Sequence, residues 1–163
     1  MAEEQATPEK ETKPEAPTKE TKAKGNGKAD LGKRFVAAII DVAIAFVVGL
    51  IPIIGGLIGA AYMLLRDGFA FDFMDHRSLG KKLMKLRPVT LDGTPVDINV
   101  SIKRNWVFAV PLVLMVIPII GWVLAPIIGV AIGIIECVLV LTDEEGRRMG
   151  DKIANTKVIE VSD

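Results

Sequence analysis

The chain has 163 residues, half of them hydrophobic, a mean hydropathy of +0.40, and twenty Lys and Arg against twenty Asp and Glu. A formal net charge of zero gives no global electrostatic case for nucleic acid, and a single cysteine, Cys137, excludes an internal disulfide. The length bounds the chain to one compact unit plus a tail, and because the first 33 residues are almost wholly polar the remainder is greasier than a soluble core requires.

Residues 1–30 are mostly Glu, Lys, Thr, Pro and Ala, with no apolar segment near the start, so they do not read as a signal peptide. They bury too little apolar surface to offset ordering entropy and are expected to form a disordered cytoplasmic tail, either passive or a docking arm for a cytoplasmic protein partner or for anionic lipid headgroups. The first long apolar run then opens with RFVAAIID. Arg34 and Asp41 are seven residues apart, almost two helical turns, so both side chains leave one helix face. A lone carboxylate there falls in sequence suited to hydrocarbon, where ionising it is costly.

Two apolar blocks follow, at 35–65 and 106–141, each interrupted near its middle by IPIIG, at 51–55 and 117–121. A single spanning helix needs about 20 residues. Proline and glycine in the middle of a longer block predict a turn, hence two short helices per block. The first hairpin is expected over about 35–71 and the second over 106–141. Under this reading all twenty Lys and Arg lie on one side, whereas single spans would divide them. The positive-inside rule then puts segment 72–105, segment 142–163 and both termini in the cytoplasm of a prokaryote, with the bilayer of the inner membrane around the helices. The expected fold class is an all-α membrane protein of four short transmembrane helices in two hairpins, with a small cytoplasmic β element and a disordered tail. Gly55 and Gly59, and Gly129 and Gly133, carry GxxxG spacing suited to close helix packing.

The halves echo each other. RSLGKKLMKLRPVTL at 77–91 aligns with RRMGDKIANTKVIEV at 147–161 at an offset of seventy, which also lays Lys33-Arg34 on Lys103-Arg104. Two helices per half predict parallel repeats about an axis along the membrane normal. VTLDGTPV at 89–96 has a hairpin signal at Asp92-Gly93, and TKVIEV at 156–161 reads as a strand. Asp72, Asp75, His76, Arg77, Lys81, Lys82 and Lys85 are expected at headgroup level. Cys137 reads as a packed thiol.

Two carboxylates lie within apolar sequence, Asp41 and Glu136. Glu136 is seven residues before Asp143, so both lie about 10 Å from the cytoplasmic helix ends. Equal depth makes a shared ion or proton site geometrically feasible, with Arg34, Arg66 and Asp67 as a charged collar at its inner mouth. The alternative is structural: Asp41 tied to Arg34 or to a neighbouring helix, holding register. No Cys/His metal spacing, phosphate-binding glycine loop or nucleophile beside a base is present, so neither a metal, a cofactor nor enzymatic activity is expected.

GKRFVAAIID, LLRDG, RSLGKKLMKLRPV, IKRN and GRRMGDKIANTKVI together resemble the RDD family of small prokaryotic membrane proteins, over roughly residues 31–160. The family's name refers to one arginine and two aspartates. The resemblance maps the arginine and first aspartate onto Arg34 and Asp41, and the second aspartate onto Asp67 or Asp151. Pro111 stands at the repeat position of Asp41, a departure from a symmetric two-carboxylate site. The resemblance implies transport of ions or other ligands. The resulting expectation is a small transporter, such as a cation/proton exchanger, forming a homo-oligomer. The competing expectation is a membrane scaffold or regulatory module binding a partner complex through its cytoplasmic face and tail.

Overall fold

The structure, a computed structural model, describes residues 28–51 and 54–162. The expected tail therefore lies outside the described residues except for 28–30, and these are ordered. Ala29 is buried, and the Asp30 side chain accepts from the Lys33 N–H at 2.8 Å, capping helix α1 (Leu31–Gly49). The chain returns as α2 (Ile54–Leu65), so the expected reversal at the first IPIIG is present. α2 stops at Leu65 and does not run to 71. A Cβ at Gly68 would lie 2.6 Å from Ile98 Cα, so the chain leaves the helix there to pass against the start of the second half.

The second half begins earlier than its apolar block. α4 (Ile98–Leu114) is capped by Asp97, which accepts from the Val100 N–H at 2.7 Å, and so takes in Ser101, Arg104 and Asn105 before Trp106. α5 (Ile120–Thr142) follows the second IPIIG turn. Among the described helices, only α5 meets the length and apolarity expected of a membrane span. α1 has 19 residues but carries Lys33, Arg34 and Asp41, α4 has 17, and α2 has 12.

Each hairpin leads into a short helix and a strand, α3 (Leu79–Leu83) with β1 (Leu86–Thr90) and α6 (Met149–Ile153) with β2 (Thr156–Glu160). The offset of seventy holds residue by residue across these elements. It extends to the left-handed residue between helix and strand, Lys85 at φ 55° and Asn155 at φ 49°. The strands pair antiparallel with Leu86 opposite Glu160, Pro88 opposite Val158 and Thr90 opposite Thr156. Equivalent strands centred on each other in this way define a pseudo-two-fold axis through the Pro88–Val158 pair. The Asp92-Gly93 signal becomes a tight turn, Gly93 at φ 83°, with one bridge from Val89 to Pro95.

The short helices are held close to the hairpins because glycine lets backbones touch. A Cβ at Gly80 would lie 2.1 Å from Ala37 O on α1, and one at Gly150 would lie 1.9 Å from Arg104 O on α4. A small apolar core of Ala29, Ala37, Leu86 and Val158 fills the space between ribbon and α1. The longer helices pack as a row, α1 on α2, α2 on α4, α4 on α5. The pseudo-axis maps α2 against α4 onto α5 against α1, yet α1 and α5 are not packed on each other. The glycines explain the difference. Gly56 brings α2 so close to α4 that a Cβ would lie 2.9 Å from Leu112 O, whereas at the equivalent place, offset by sixty-six like the IPIIG turns, α5 carries the exposed Trp122.

Candidate functional site: a buried charge layer beneath an open cleft

Where the short helices meet the hairpins, nine charged side chains share one layer, and the expected site residues are all in it. Asp41, 1 % exposed, is fully occupied. It pairs with Arg66 Nη1 at 3.0 Å and accepts from Tyr62 Oη at 3.0 Å and the Gly80 N–H at 2.9 Å. Of the two structural ties expected, the one to the neighbouring helix is present, through Arg66 just past the end of α2, and Arg34 pairs with Asp151 instead. Glu136 on α5 does the parallel job for the second half, Oε2 accepting from the Met149 N–H at 2.9 Å. Each intrahelical carboxylate thus holds the first turn of one short helix.

Asp67 lies between halves. Lys81 Nζ donates to Oδ1 at 2.6 Å, Asn105 Nδ2 donates to Oδ2 at 3.0 Å, and Arg104 Nε lies 3.7 Å from Oδ2. Asp151 takes Arg104 Nη2 at 2.6 Å and Arg34 Nη2 at 3.3 Å. Arg34 also donates to the Gly146 carbonyl. Arg104, wholly buried, therefore bridges the two aspartates that compete for the second family position. Burial alone would raise Asp67 and Asp151, but Lys81, Arg104 and Arg66 outweigh it at Asp67, and Arg104, Arg148 and Arg34 at Asp151, so both carboxyls are held below the usual range. Burial draws Lys81 down to about 7 despite the opposing pull of Asp67.

Several members were not legible as site residues. Lys81 and Arg77, expected at headgroup level, are buried. Arg104 looked like a flanking base, yet its repeat match to Arg34, already inside a helix, was the signal that α4 starts before it. Tyr62, Ser101, Asn105 and Arg148 had no signal beyond polarity. Cys137, expected to be packed, is exposed, on the α5 side of the open cleft.

Asp41 and Glu136 share no hydrogen bond, but both line one cleft of about 820 Å³ between α1 and α5. Its walls are apolar and include Ala38, Val42 and Phe46 of α1 and Gly133 and Val140 of α5; its charged end carries Arg34, Arg66, Lys81 and Arg148 beside the two carboxylates. Arg148 lies 5.1 Å over the Phe108 ring and holds Asp151 and Asn105 only at 3.5 Å, the limit of a hydrogen bond. Glu136 is 4 % exposed, and its Oε1 has no hydrogen-bond partner. A buried, bare carboxylate oxygen is costly unless it carries a proton or meets a ligand.

Neither a curated protein nor a solved structure matches the chain significantly. The model of the RDD family matches residues 56–155, which contain Arg66, Asp67, Arg104, Glu136 and Asp151 and follow Arg34 and Asp41. With that match covering more than half its length, the chain belongs to the RDD family and is a membrane protein.

Proposed function

We propose that this RDD protein inserts both hairpins into the prokaryotic inner membrane, four helices in all, with both termini cytoplasmic, and acts as a small non-enzymatic transporter. Its ligand occupies the α1–α5 cleft and a proton is exchanged at Glu136. The observation that carries this reading is the bare Oε1 of a buried Glu136 at the charged end of that cleft. Asp41, already neutralised by Arg66, acts as the anchor of α3 and not as the exchanging group. At the charged end of the cleft Arg34, Arg66, Arg148 and Lys81 face only Asp41 and Glu136, and even with Lys81 drawn down to about 7 the cations are in excess, which favours an anionic ligand over a metal cation.

The test is proton movement in proteoliposomes under imposed pH and anion (chloride, phosphate, carboxylate) gradients, with Na⁺ and K⁺ gradients as the cation controls. Wild type is expected to move protons and Glu136→Gln to lose that movement with unchanged elution and helicity. Asp41→Asn is expected to lower stability first. Wild-type flux from Glu136→Gln would overturn the assignment.

A second reading, a scaffold for a partner complex, is favoured by one observation: Asp41, Asp67 and Asp151 are all consumed by ion pairs, as expected of structural staples. It predicts capture of a defined cytoplasmic partner that depends on residues 1–30 and no flux under any gradient.

A further inference from the structure

We infer that the α1–α5 cleft is a seat for one anionic, hydroxyl-bearing phospholipid of the surrounding bilayer, with an acyl chain between the two helices and the phosphate at Arg148 and Arg34. The inference rests on the cleft being the ligand site proposed above, but not on transport.

The cleft is an absence in an otherwise repeated architecture. The pseudo-axis that sets β1 on β2 calls for α5 against α1 wherever α2 meets α4, and in that place there is an opening of about 820 Å³. This volume falls in the range of small-ligand sites, about 300–1,000 Å³. A partner helix of 20 residues and ~10 Å diameter would occupy about 2,400 Å³ and leave most of itself outside. The walls are apolar along the helices and charged at one end only, the pattern of an amphiphile and not of a soluble ion.

The chemistry of the charged end selects the headgroup. Arg148 keeps 14 % of its side chain accessible and Arg34 keeps 9 %, and the Arg148 contacts to Asp151 are long, so these guanidiniums have charge to offer a phosphate. Glu136 Oε1 is a buried acceptor with nothing to accept. A headgroup hydroxyl supplies the missing donor while the phosphate meets the excess positive charge. Phosphatidylglycerol has both groups. Phosphatidylmethanol has the same singly charged phosphodiester and no headgroup hydroxyl, and phosphatidylcholine lacks both the hydroxyl and the net charge.

The experiment is native mass spectrometry of the full chain released from mixed micelles with each of these three lipids, alongside immobilisation of spin-labelled lipid in vesicles of the same compositions. The expected order of retention is phosphatidylglycerol, then phosphatidylmethanol, then phosphatidylcholine. Arg148→Gln is expected to weaken phosphatidylglycerol retention at least tenfold. Glu136→Gln is expected to narrow the gap between phosphatidylglycerol and phosphatidylmethanol. Gly133→Trp is the variant that guards against misfolding, because a Cβ at Gly133 meets nothing within 4 Å and the side chain would project into the cleft where the acyl chain is placed. It is expected to keep wild-type thermal stability and lose the bound lipid. Equal retention of all three lipids, or undiminished retention in Gly133→Trp, would overturn the inference. Retained lipid with no proton flux would refute transport and leave the seat standing; proton flux with no lipid preference would do the reverse.

Discussion

Arg104 joins Asp67 to Asp151 with no exposure of its own, so its loss leaves buried Asp151 without its closest counter-charge and buried Asp67 with Lys81 as its nearest remaining one. Breaking one side of a buried ion-pair network typically costs about 3–5 kcal/mol, and Arg104→Ala is expected to fall in that range in thermal or denaturant unfolding in detergent. The pH dependence has a definite sign. Asp67 and Asp151 titrate lower in the folded than in the unfolded chain, so their stabilisation is complete above the ordinary carboxyl value of 3.8 and is lost as the pH falls through the folded values. The wild-type unfolding midpoint should therefore fall on acidification below that point, and the Arg104→Ala penalty should shrink there because protonated carboxyls no longer need the guanidinium. A penalty independent of pH would mean that Arg104 acts through packing. The charges at Arg34, Asp41, Arg66, Asp67 and Glu136 were legible in the sequence because each interrupts or borders an apolar run, and Asp151 only through the family resemblance. Their pairing was not, since Arg34 meets Asp151 across 117 residues and Asp41 meets Arg66 across 25, and no local spacing encodes such contacts.

At the scale of elements, the repeated docking of a short helix on a long one makes two glycines act alike. Gly80→Ala and Gly150→Ala each drive a methyl group into a backbone carbonyl, which only separation of the two helices can relieve. Each is expected to cost at least the ~1–3 kcal/mol usual for overpacking. Gly133→Ala, with open space around its Cβ, should instead be neutral or gain up to about 1 kcal/mol of helix propensity. Comparing the three melting midpoints separates close backbone approach from a general dislike of alanine in these helices. The paired glycines and the strands could be read from the offset of seventy, and the turns between hairpin helices from the repeated IPIIG. The helix ends could not. α4 gains its first two turns from a capping Asp97 and from polar residues that turn inward, which hydropathy reads as a loop. α2 loses its expected last turn to the close passage of Gly68 against Ile98.

For the molecule as a whole, the two halves share a plan but not a depth. At 1.5 Å per residue α5 extends ~35 Å and α2 only ~18 Å, against a hydrocarbon thickness of about 30 Å. The charge layer ties Arg66, just past the end of α2, to Asp41 in the middle of α1, so the first hairpin rises only a short way above the buried charges. Two crossings by this hairpin therefore require the bilayer to thin around it, a modest cost per ångström of mismatch. The consequence can be measured by single-cysteine labelling after Cys137→Ser. With four helices inserted and both termini inside, a membrane-impermeant maleimide applied to intact cells should react readily at Ile119→Cys and more slowly at Ile54→Cys, and should reach Lys157→Cys in β2 only after permeabilisation. The slower rate follows from the shallow turn of the first hairpin, and it should rise in vesicles of shorter-chain lipid. Reaction of Ile54→Cys from the cytoplasmic side alone would make the first hairpin re-entrant. The charge layer would then be the floor of a half-inserted hairpin, and the cleft beside α1 would open toward the cytoplasmic leaflet only.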